Sequence, residues 1–532
     1  MQLNSIKESM KNRLLLLFLT VSIFTQAQTI EVSGTQSGVW EADTVLVTGD
    51  IKVQDSLRIL AGTTVLFDGF YSIRVENGAS MTALGTENDS ILFTIADTTN
   101  FHVFNSGRGG WNGIRLNKAG ACQFDYCRFQ YGKAALDNDQ DGGALRIFSS
   151  DNVEINYSTL FCNFSREHGG ALNAENSKVT MFDCKVNNNL TYTKLDTVYF
   201  MYGGALRFLK CEVDITQTDF RYNTGQNAIG GALSLDSCSV HIDRCRFEHN
   251  YGINGGGLYL IRSNDYPCSI TNSLFANNTS GHFGGGLAIC DASPWISNLT
   301  VVNNHSIGVN CGGIFFYQYS EPYLWNCIVY GNTNNAPLEK PVQMWAWTFE
   351  GYNPSFYNCL IQYGIENITH NEDLYNVNCI DEDPLFVDSE HENFHLSVNS
   401  PCINAGDGNA TSTSYDLDGL WRVCGDYIDI GAYEYSATGV TEIAQNNQPI
   451  RIVGNPVTAS SYAEIECKSA CHLFAKVYSV DGKLLVNKNL GTSQIGLNRI
   501  EIGEMFQHLT SGTYLFVLGT AEKTFVAKIV KQ

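Results

Sequence analysis

The chain has 532 residues, of which 44% are hydrophobic, 12% aromatic and only 16% charged, a profile that excludes a disordered polymer. At ~150 residues per domain it holds three or four units or one long repeat array. Lys+Arg number 33 against 54 Asp+Glu, a net charge of −21, so a phosphate backbone would be repelled and nucleic acid is not an expected partner.

Residues 1–27 read as a signal peptide. Lys11 and Arg13 make a basic start, Leu14 to Phe24 is an apolar run, and Thr25-Gln26-Ala27 supplies small residues for cleavage. That run is too short to span a bilayer, so the mature chain is expected to have no transmembrane segment. From 28 to 110, short alternating pieces (Thr44 to Val47, Ile51 to Val53, Leu57 to Leu60, Thr64 to Phe67, Ile73 to Val75, Ile91 to Ile95) are separated by turns such as Gly49-Asp50 and Asn77-Gly78. They predict the cap and opening coils of a solenoid.

Between 111 and 365 the sequence repeats. Gly-Gly-Ala-Leu ends at Leu145, Leu172, Leu206 and Leu233, and looser copies end at Leu258, Leu287 and Ile314, giving spacings of 27, 34, 27, 25, 29 and 27 residues. Trp111-Asn112-Gly113-Ile114 is a diverged earlier copy. Between copies lies a second pattern, clearest from Val240 to Asn250. Each repeat thus holds three short strands with no room for a helix of ~10 residues, which predicts a parallel β-helix. The glycine pairs permit a sharp bend. Asn163, Asn189, Asn223, Asn250, Asn278, Asn304 and Asn332 share one coil position and Asn272, Asn298, Asn326 and Asn358 another, where stacked amides can bond coil to coil and tolerate left-handed backbone. Cys127, Cys184, Cys245, Cys327 and Cys359 share an inward position and predict a ladder of small buried side chains. With no C-x-x-C pair among the 17 cysteines, a metal-thiolate site is disfavoured.

Phe220 to Asn223, Phe247 to Asn250 and Phe275 to Asn278, each followed by a glycine pair, resemble the repeats of chlamydial polymorphic outer-membrane proteins. More broadly, the array resembles the right-handed β-helices of the pectate-lyase-like group. The resemblance implies an all-β fold: a right-handed parallel β-helix followed by a small C-terminal β-sandwich.

Residues 366–436 contain Asp383-Pro384-Leu385-Phe386, Ser400-Pro401-Cys402-Ile403-Asn404-Ala405-Gly406, Asp416-Leu417-Asp418-Gly419 and Asp429-Ile430-Gly431-Ala432-Tyr433-Glu434. They resemble the choice-of-anchor Q closing module that accompanies exported β-helices. A polar linker, 437–449, leads to residues 450–532, whose alternating segments predict a compact β unit. Asn455-Pro456, Val477 to Lys483, Leu509 to Tyr514 and Lys528-Ile529-Val530-Lys531 are similar to the type IX secretion sorting domain of Bacteroidota. That resemblance implies engagement of the type IX machinery by 450–532 and delivery of a Gram-negative protein to the outer-membrane surface or the medium.

In such a coil the first strand builds a flat face whose alternate residues point outward. One outward column is Arg146, Asn173, Arg207, Ser234, Tyr259, Ala288 and Phe315; the next is Phe148, Glu175, Leu209, Asp236, Ile261, Cys290 and Tyr317. Only Ala or Gly precedes the leucines, so one side of this face is expected to be open. Arg146, Asn173, Arg207, Tyr259, Phe315 and Tyr317 are the ligand-binding candidates, because guanidinium groups and aromatic platforms suit acidic sugars. The expected function is adhesin-like binding of glycans or other surfaces, without catalysis. The alternative is a polysaccharide lyase or glycoside hydrolase acting on acidic polysaccharide. Arg146 or Arg207 would be the lyase base, and Glu175 and Asp236 would hold Ca²⁺ or form the carboxyl pair, at a marginal ~10 Å by strand spacing. No cofactor is expected. Ca²⁺ is weighed at Asp137, Asp139 and Asp141, which lack the full EF-hand pattern, and at Asp416 and Asp418, where Asp-Gly turn chemistry is the favoured account.

Overall fold

A computed structural model describes residues 28–137, 139–192, 201–337, 340–370, 374–410, 414–420, 422, 427–435, 451–453, 456–458, 461–467, 472–479, 483–519 and 524–531. The expected signal segment 1–27, the expected linker 437–449 and parts of the motifs that resemble a sorting domain, Asn455 and Asp481-Gly482 among them, lie outside the described residues. Among the described residues no helix is long and apolar enough to cross a membrane.

The protein is an all-β solenoid, and the paired strands of its large sheet all run parallel. Stacking Ile114–Asn117, Leu145–Phe148, Leu172–Glu175, Leu206–Leu209 and their successors builds the first ladder. Val153–Asn156, Lys178–Phe182 and Glu212–Thr216 belong to the second, and Thr159–Phe161, Lys185–Asn187 and Asp219–Arg221 to the third. Three strands per coil were expected, but there is a fourth, short ladder running from Lys133–Ala134 through Phe164–Ser165, Leu190–Tyr192 and Thr224–Gln226 to Thr333–Asn334. Its two- to five-residue strands are too brief to show a period in the sequence.

Two N-terminal segments also depart from the expected pattern. Thr44–Leu60 is one strand rather than three, bending round the coil to pair with Thr64–Phe67, Ile73–Glu76 and Ser80–Leu84 in turn. Gly49-Asp50 marks a corner, not a break. Thr29–Trp40 lies along its other side, with register shifts at Gly34 and Gly38.

The repeat residues have distinct tasks. Gly142, Gly169, Gly203 and Gly230 have φ between +57° and +78°, and a Cβ on Gly142 would sit 2.1 Å from the Leu145 carbonyl oxygen. Their partners permit close approach instead: a Cβ on Gly143 would lie 2.4 Å from the Gly170 oxygen in the next rung. Inside, Phe220, Phe247 and Phe275 stack with ring centroids 4.6 and 4.5 Å apart.

The asparagine ladder runs as expected. Each Nδ2 donates to the next Oδ1 from Asn163 to Asn332 at 2.9–3.0 Å, and Gln343 Oε1 ends the chain at 3.1 Å. Left-handed backbone falls on the other series, Asn272, Asn298, Asn326 and Asn358, and on the residue before each rung of the ladder, such as Asn188, Tyr222 or His249, not on the ladder itself. The inward thiols do more than fill space: Cys184 and Cys245 donate to the carbonyls of Ile155 and Ile215 in the preceding coil at 3.2 and 3.5 Å. Ser158 and Ser273 oxygens accept the N–H groups of Cys127 and Cys245. A sulfhydryl and a hydroxyl are therefore interchangeable in this column.

The described residues of 380–435 do not lie across the end of the solenoid. They pack along its side, where Phe394, Leu396, Leu417, Ile430 and Tyr433 cover Leu274, Ala276, Val302, Ile328 and Leu360, the outward residues of successive third-ladder strands. Arg422 is fully buried. It donates to Glu434 Oε1 at 2.6 Å and to Asn272 Oδ1 at 2.8 and 2.9 Å, joining the module to the solenoid wall. Beyond this, two antiparallel sheets form the C-terminal unit. One contains Arg451–Val453, Tyr462–Cys467 and Gly496–Glu501. The other orders Leu484–Thr492, His472–Ser479, Gly512–Gly519 and Thr524–Lys531. Their shared core includes Ala463, Ile465, Val477, Phe516 and Ile529.

Candidate functional site

The first ladder sets Lys52, Arg74, Arg115, Arg146, Asn173 and Arg207 in one register-aligned column, each opposite the next. Parallel strands stack about 4.8 Å apart, so these side chains would repel unless acids or water intervene. The column divides into an open and a covered half.

In the open half a groove of about 480 Å³ is lined by Asp50, Arg74, Glu76, Arg115, Asn117, Asp139 and Arg146, with Phe70, Leu136 and Phe148 as apolar walls. Arg115 is buried and fully engaged: Nε donates to Asp139 Oδ2 at 2.9 Å, Nη1 to the Gly142 carbonyl at 2.8 Å and Nη2 to Asn112 Oδ1 at 3.0 Å. Burial pushes its guanidinium down from the ordinary range, against the pull of Asp139. Arg146, 40% exposed, reaches Asp139 Oδ1 at only 3.5 Å. Arg74 is exposed and bonds Ser72 Oγ at 3.3 Å. Both can therefore turn toward a solute, while Arg115 is a rigid part of the floor.

The expectation of an open face beyond Arg146 is corrected. Asn173, Arg207, Tyr259 and Phe315 are 1%, 7%, 8% and 6% exposed, and Asp236 is 4% exposed. Tyr202, Ile229, Phe283, Cys311 and Val342, most of them close before a glycine pair, fold over the column and pack with Tyr259, Ala288 and Phe315. Arg207 Nη1 donates to Glu175 Oε1 at 2.5 Å and to Asn173 Oδ1 at 3.1 Å. Asp236 is held by Arg262, whose Nε lies 2.9 Å away. Glu175 and Asp236 are thus each tied to a separate arginine and do not form one carboxyl pair. Tyr317 stays half-buried at the far end, edge-on to exposed Trp347 at 5.6 Å.

The Ca²⁺ candidates are also dispersed. Asp137 pairs with Arg166 at 2.6 Å, and Asp139 with Arg115 and Arg146. Asp141 instead faces Glu167 and His168, with one ligand atom of each within 4.8 Å of the others. His168 Nδ1 accepts the Tyr202 N–H at 3.1 Å, which places the ring proton on Nε2 and leaves no free lone pair for a cation. Burial, helped by nearby Arg207, keeps that ring neutral, pushing its pKa down to about 3. Asp141 Oδ1 is buried without a hydrogen-bond partner, and burial, opposed by Arg146 and Arg207, pushes its carboxyl up to about 6. Asp416 spends its oxygens on the N–H groups of Asp418, Leu420 and Glu434 at 2.6–3.0 Å. Asp418 is engaged by Arg246 at 2.7 Å and His395 at 2.6 Å. Asp139, Asp416 and Asp418 thus have carboxylate oxygens engaged by protein donors, whereas Ca²⁺ takes several oxygens at once.

Arg74, Arg115, Asp50 and Phe70 were missed by inspection of the sequence because their coils lack the glycine-pair signature. Ile73-Arg74-Val75, Ile114-Arg115-Leu116 and Leu145-Arg146-Ile147 repeat apolar-Arg-apolar and carry the signal that could have found them.

No curated protein matches the chain. Among solved structures it is similar to the enzymatically active domain of tailspike protein 4 of bacteriophage CBA120. Identity is 10% and the TM-score 0.19, over 92% of this chain and 62% of that domain. The chain therefore spans less than two thirds of the length of that tailspike domain. The family described as "Right handed beta helix region" matches residues 161–380, which gives the coil its hand.

Proposed function

We propose that this protein is an exported β-helix that binds acidic glycans in the groove between Arg74 and Arg146, at the cell surface or in the medium. One observation carries the reading: two guanidinium groups, each held by a single long bond, stand two rungs apart, roughly 10 Å, beside exposed Phe148 and across a locked Arg115. Carboxylates or sulfates of a chain running along the solenoid axis would take charge-assisted bonds from the two arginines, and a sugar face would rest on Phe148. The acids Asp50, Glu76 and Asp139 suit sugar hydroxyls. The choice-of-anchor Q and type IX resemblances support delivery through the outer membrane. Deleting 450–532 is expected to leave the protein inside the cell envelope, and undiminished surface display would refute that part.

The groove is tested by titrating purified protein with heparin, polygalacturonate and neutral dextran. The acidic probes should bind, more weakly as salt rises, and the double variant Arg74→Ala/Arg146→Ala should lose about tenfold or more in affinity. Equal binding of dextran, or an unaffected double variant, would overturn the reading. A second reading, glycan cleavage, is favoured by Asp141, a partnerless acid beside Glu167 that holds its proton up to about pH 6. New reducing ends or ultraviolet-absorbing unsaturated products, abolished in Asp141→Asn, would establish it over simple binding.

A further inference from the structure

The inward thiol column ends on three successive rungs, Cys327, Cys359 and Cys379. Rung-to-rung pairing is direct: Asn358 N–H donates to the Val377 carbonyl and Ile380 N–H to the Cys359 carbonyl, both at 2.9 Å. Cys327 and Cys359 are fully buried and Cys379 is partly exposed. All three are free thiols, and Cys359 lies in side-chain contact with both neighbours.

We propose that Cys359 and Cys379 are an oxidisable pair that closes into a disulfide and staples the last rung to the solenoid. Stacked rungs hold Cα atoms at about 4.8 Å, inside the range a disulfide accepts, but its Cβ atoms must approach to about 3.5–4.5 Å. Cys211 and Cys238, also on successive rungs, have a further rung on either side, since Cys238 N–H donates to Ser263 Oγ and Glu212 N–H to the Ser177 carbonyl. Cys327 and Cys359 are likewise stacked between neighbours. Among the described strands Tyr375–Val377 pairs on one side only, with Ser355–Tyr357, so its rung alone can close the gap without dragging a further coil. It is also the place where the chain leaves the solenoid for the lateral module, through Ile380.

A small disulfide serves as oxidant. The Cys379 thiol loses its proton and attacks one sulfur of the reagent, expelling a thiolate and leaving a mixed disulfide. Cys359 sulfur then loses its proton and attacks Cys379 sulfur, expelling the second thiolate. Two protons and two electrons leave the pair, and the reagent becomes two thiols. Burial and contact with Cys327 raise the Cys359 thiol, against the opposing contact with Cys379, while contact with Cys359 and then burial raise the Cys379 thiol, so closure should be slow at neutral pH and faster in alkali.

The test uses the full chain with oxidised glutathione at pH 8. Alkylation and cleavage after glutamate then follow, which separates Cys327, Cys359 and Cys379 because Glu339 and Glu366 lie between them. The expected result is a Cys359–Cys379 linked peptide and about tenfold slower hydrogen exchange over 374–380, both absent in Cys379→Ser and in Cys359→Ala. Glutathione retained on Cys379 without cross-link, a Cys327–Cys359 link, or unmodified thiols under these conditions would each overturn the proposal.

Discussion

Arg146 and Arg207 occupy the same column of the same sheet, two rungs apart, yet they do different work. The first lies beside a groove with most of its guanidinium free; the second is sealed under Tyr202 and its neighbours and bonded to Glu175 and Asn173. Periodic position therefore gives direction, outward, but not exposure. Exposure depends on the polarity of the segment that enters the glycine pair. Before Gly142 that segment carries Asp137, Asp139 and Asp141, and Asp139 lines the groove. Before Gly230 it carries Ala228-Ile229, which fold inward over the column.

The sharpest way to break this difference is to open the covered half. Ile229→Asp places an unpaired charge among Tyr259, Ala288 and Phe315, and should cost at least about 3 kcal/mol in chemical denaturation. Exposed probes at the groove should keep their environment. Next in size is Arg207→Ala. It leaves Glu175 and buried Asn173 without their donor and should cost about 2–3 kcal/mol, the 26% exposure of Glu175 softening the loss, with glycan affinity unchanged. Loss of glycan binding in that variant would mean that the cover opens in solution.

Asp141→Asn should act in the other direction. The native carboxyl titrates near 6, above its ordinary 3.8, so the folded state holds the proton more tightly than the unfolded one. Below about pH 4 both states are protonated and the substitution is neutral. As pH rises through 4 to 6 the wild type loses stability, and above 6 the variant should be more stable by about 2–3 kcal/mol, less any screening. Parallel melting curves at pH 3.5 and 7.5 decide this, and a variant equally stable at both would show that water already satisfies Oδ1. The smallest stability effect belongs to Arg146→Ala, within about 0.5 kcal/mol, because its bond to Asp139 is long and partly exposed. Its effect on heparin affinity, about tenfold, should far exceed that.

Much of the scaffold was legible beforehand. Gly-Gly-Ala-Leu, the asparagines and the inward cysteines each repeat at a fixed coil position, and stacking identical positions leaves few alternatives to ladders. The fourth ladder was hidden by strands too short to show a period. The continuity of Thr44–Leu60 was hidden because a corner in a solenoid and a turn between strands use the same residues, Gly49-Asp50. Of the site candidates, Arg146 lines the groove, while Asn173, Arg207, Tyr259 and Phe315 are enclosed. Arg74 and Arg115 escaped notice because their coils lack the glycine pair that marks the later ones.

Nearest-neighbour pattern was enough to specify the coil, its inward residues and its stacked amides, because each repeats with the chain and each is satisfied by the next copy of itself. Which stretch of the outer face meets water, where the lateral module attaches, and which carboxylates end beside arginine rather than beside one another depend on segments of irregular length brought together across many rungs. Those contacts carry no period, so only the folded chain settles them.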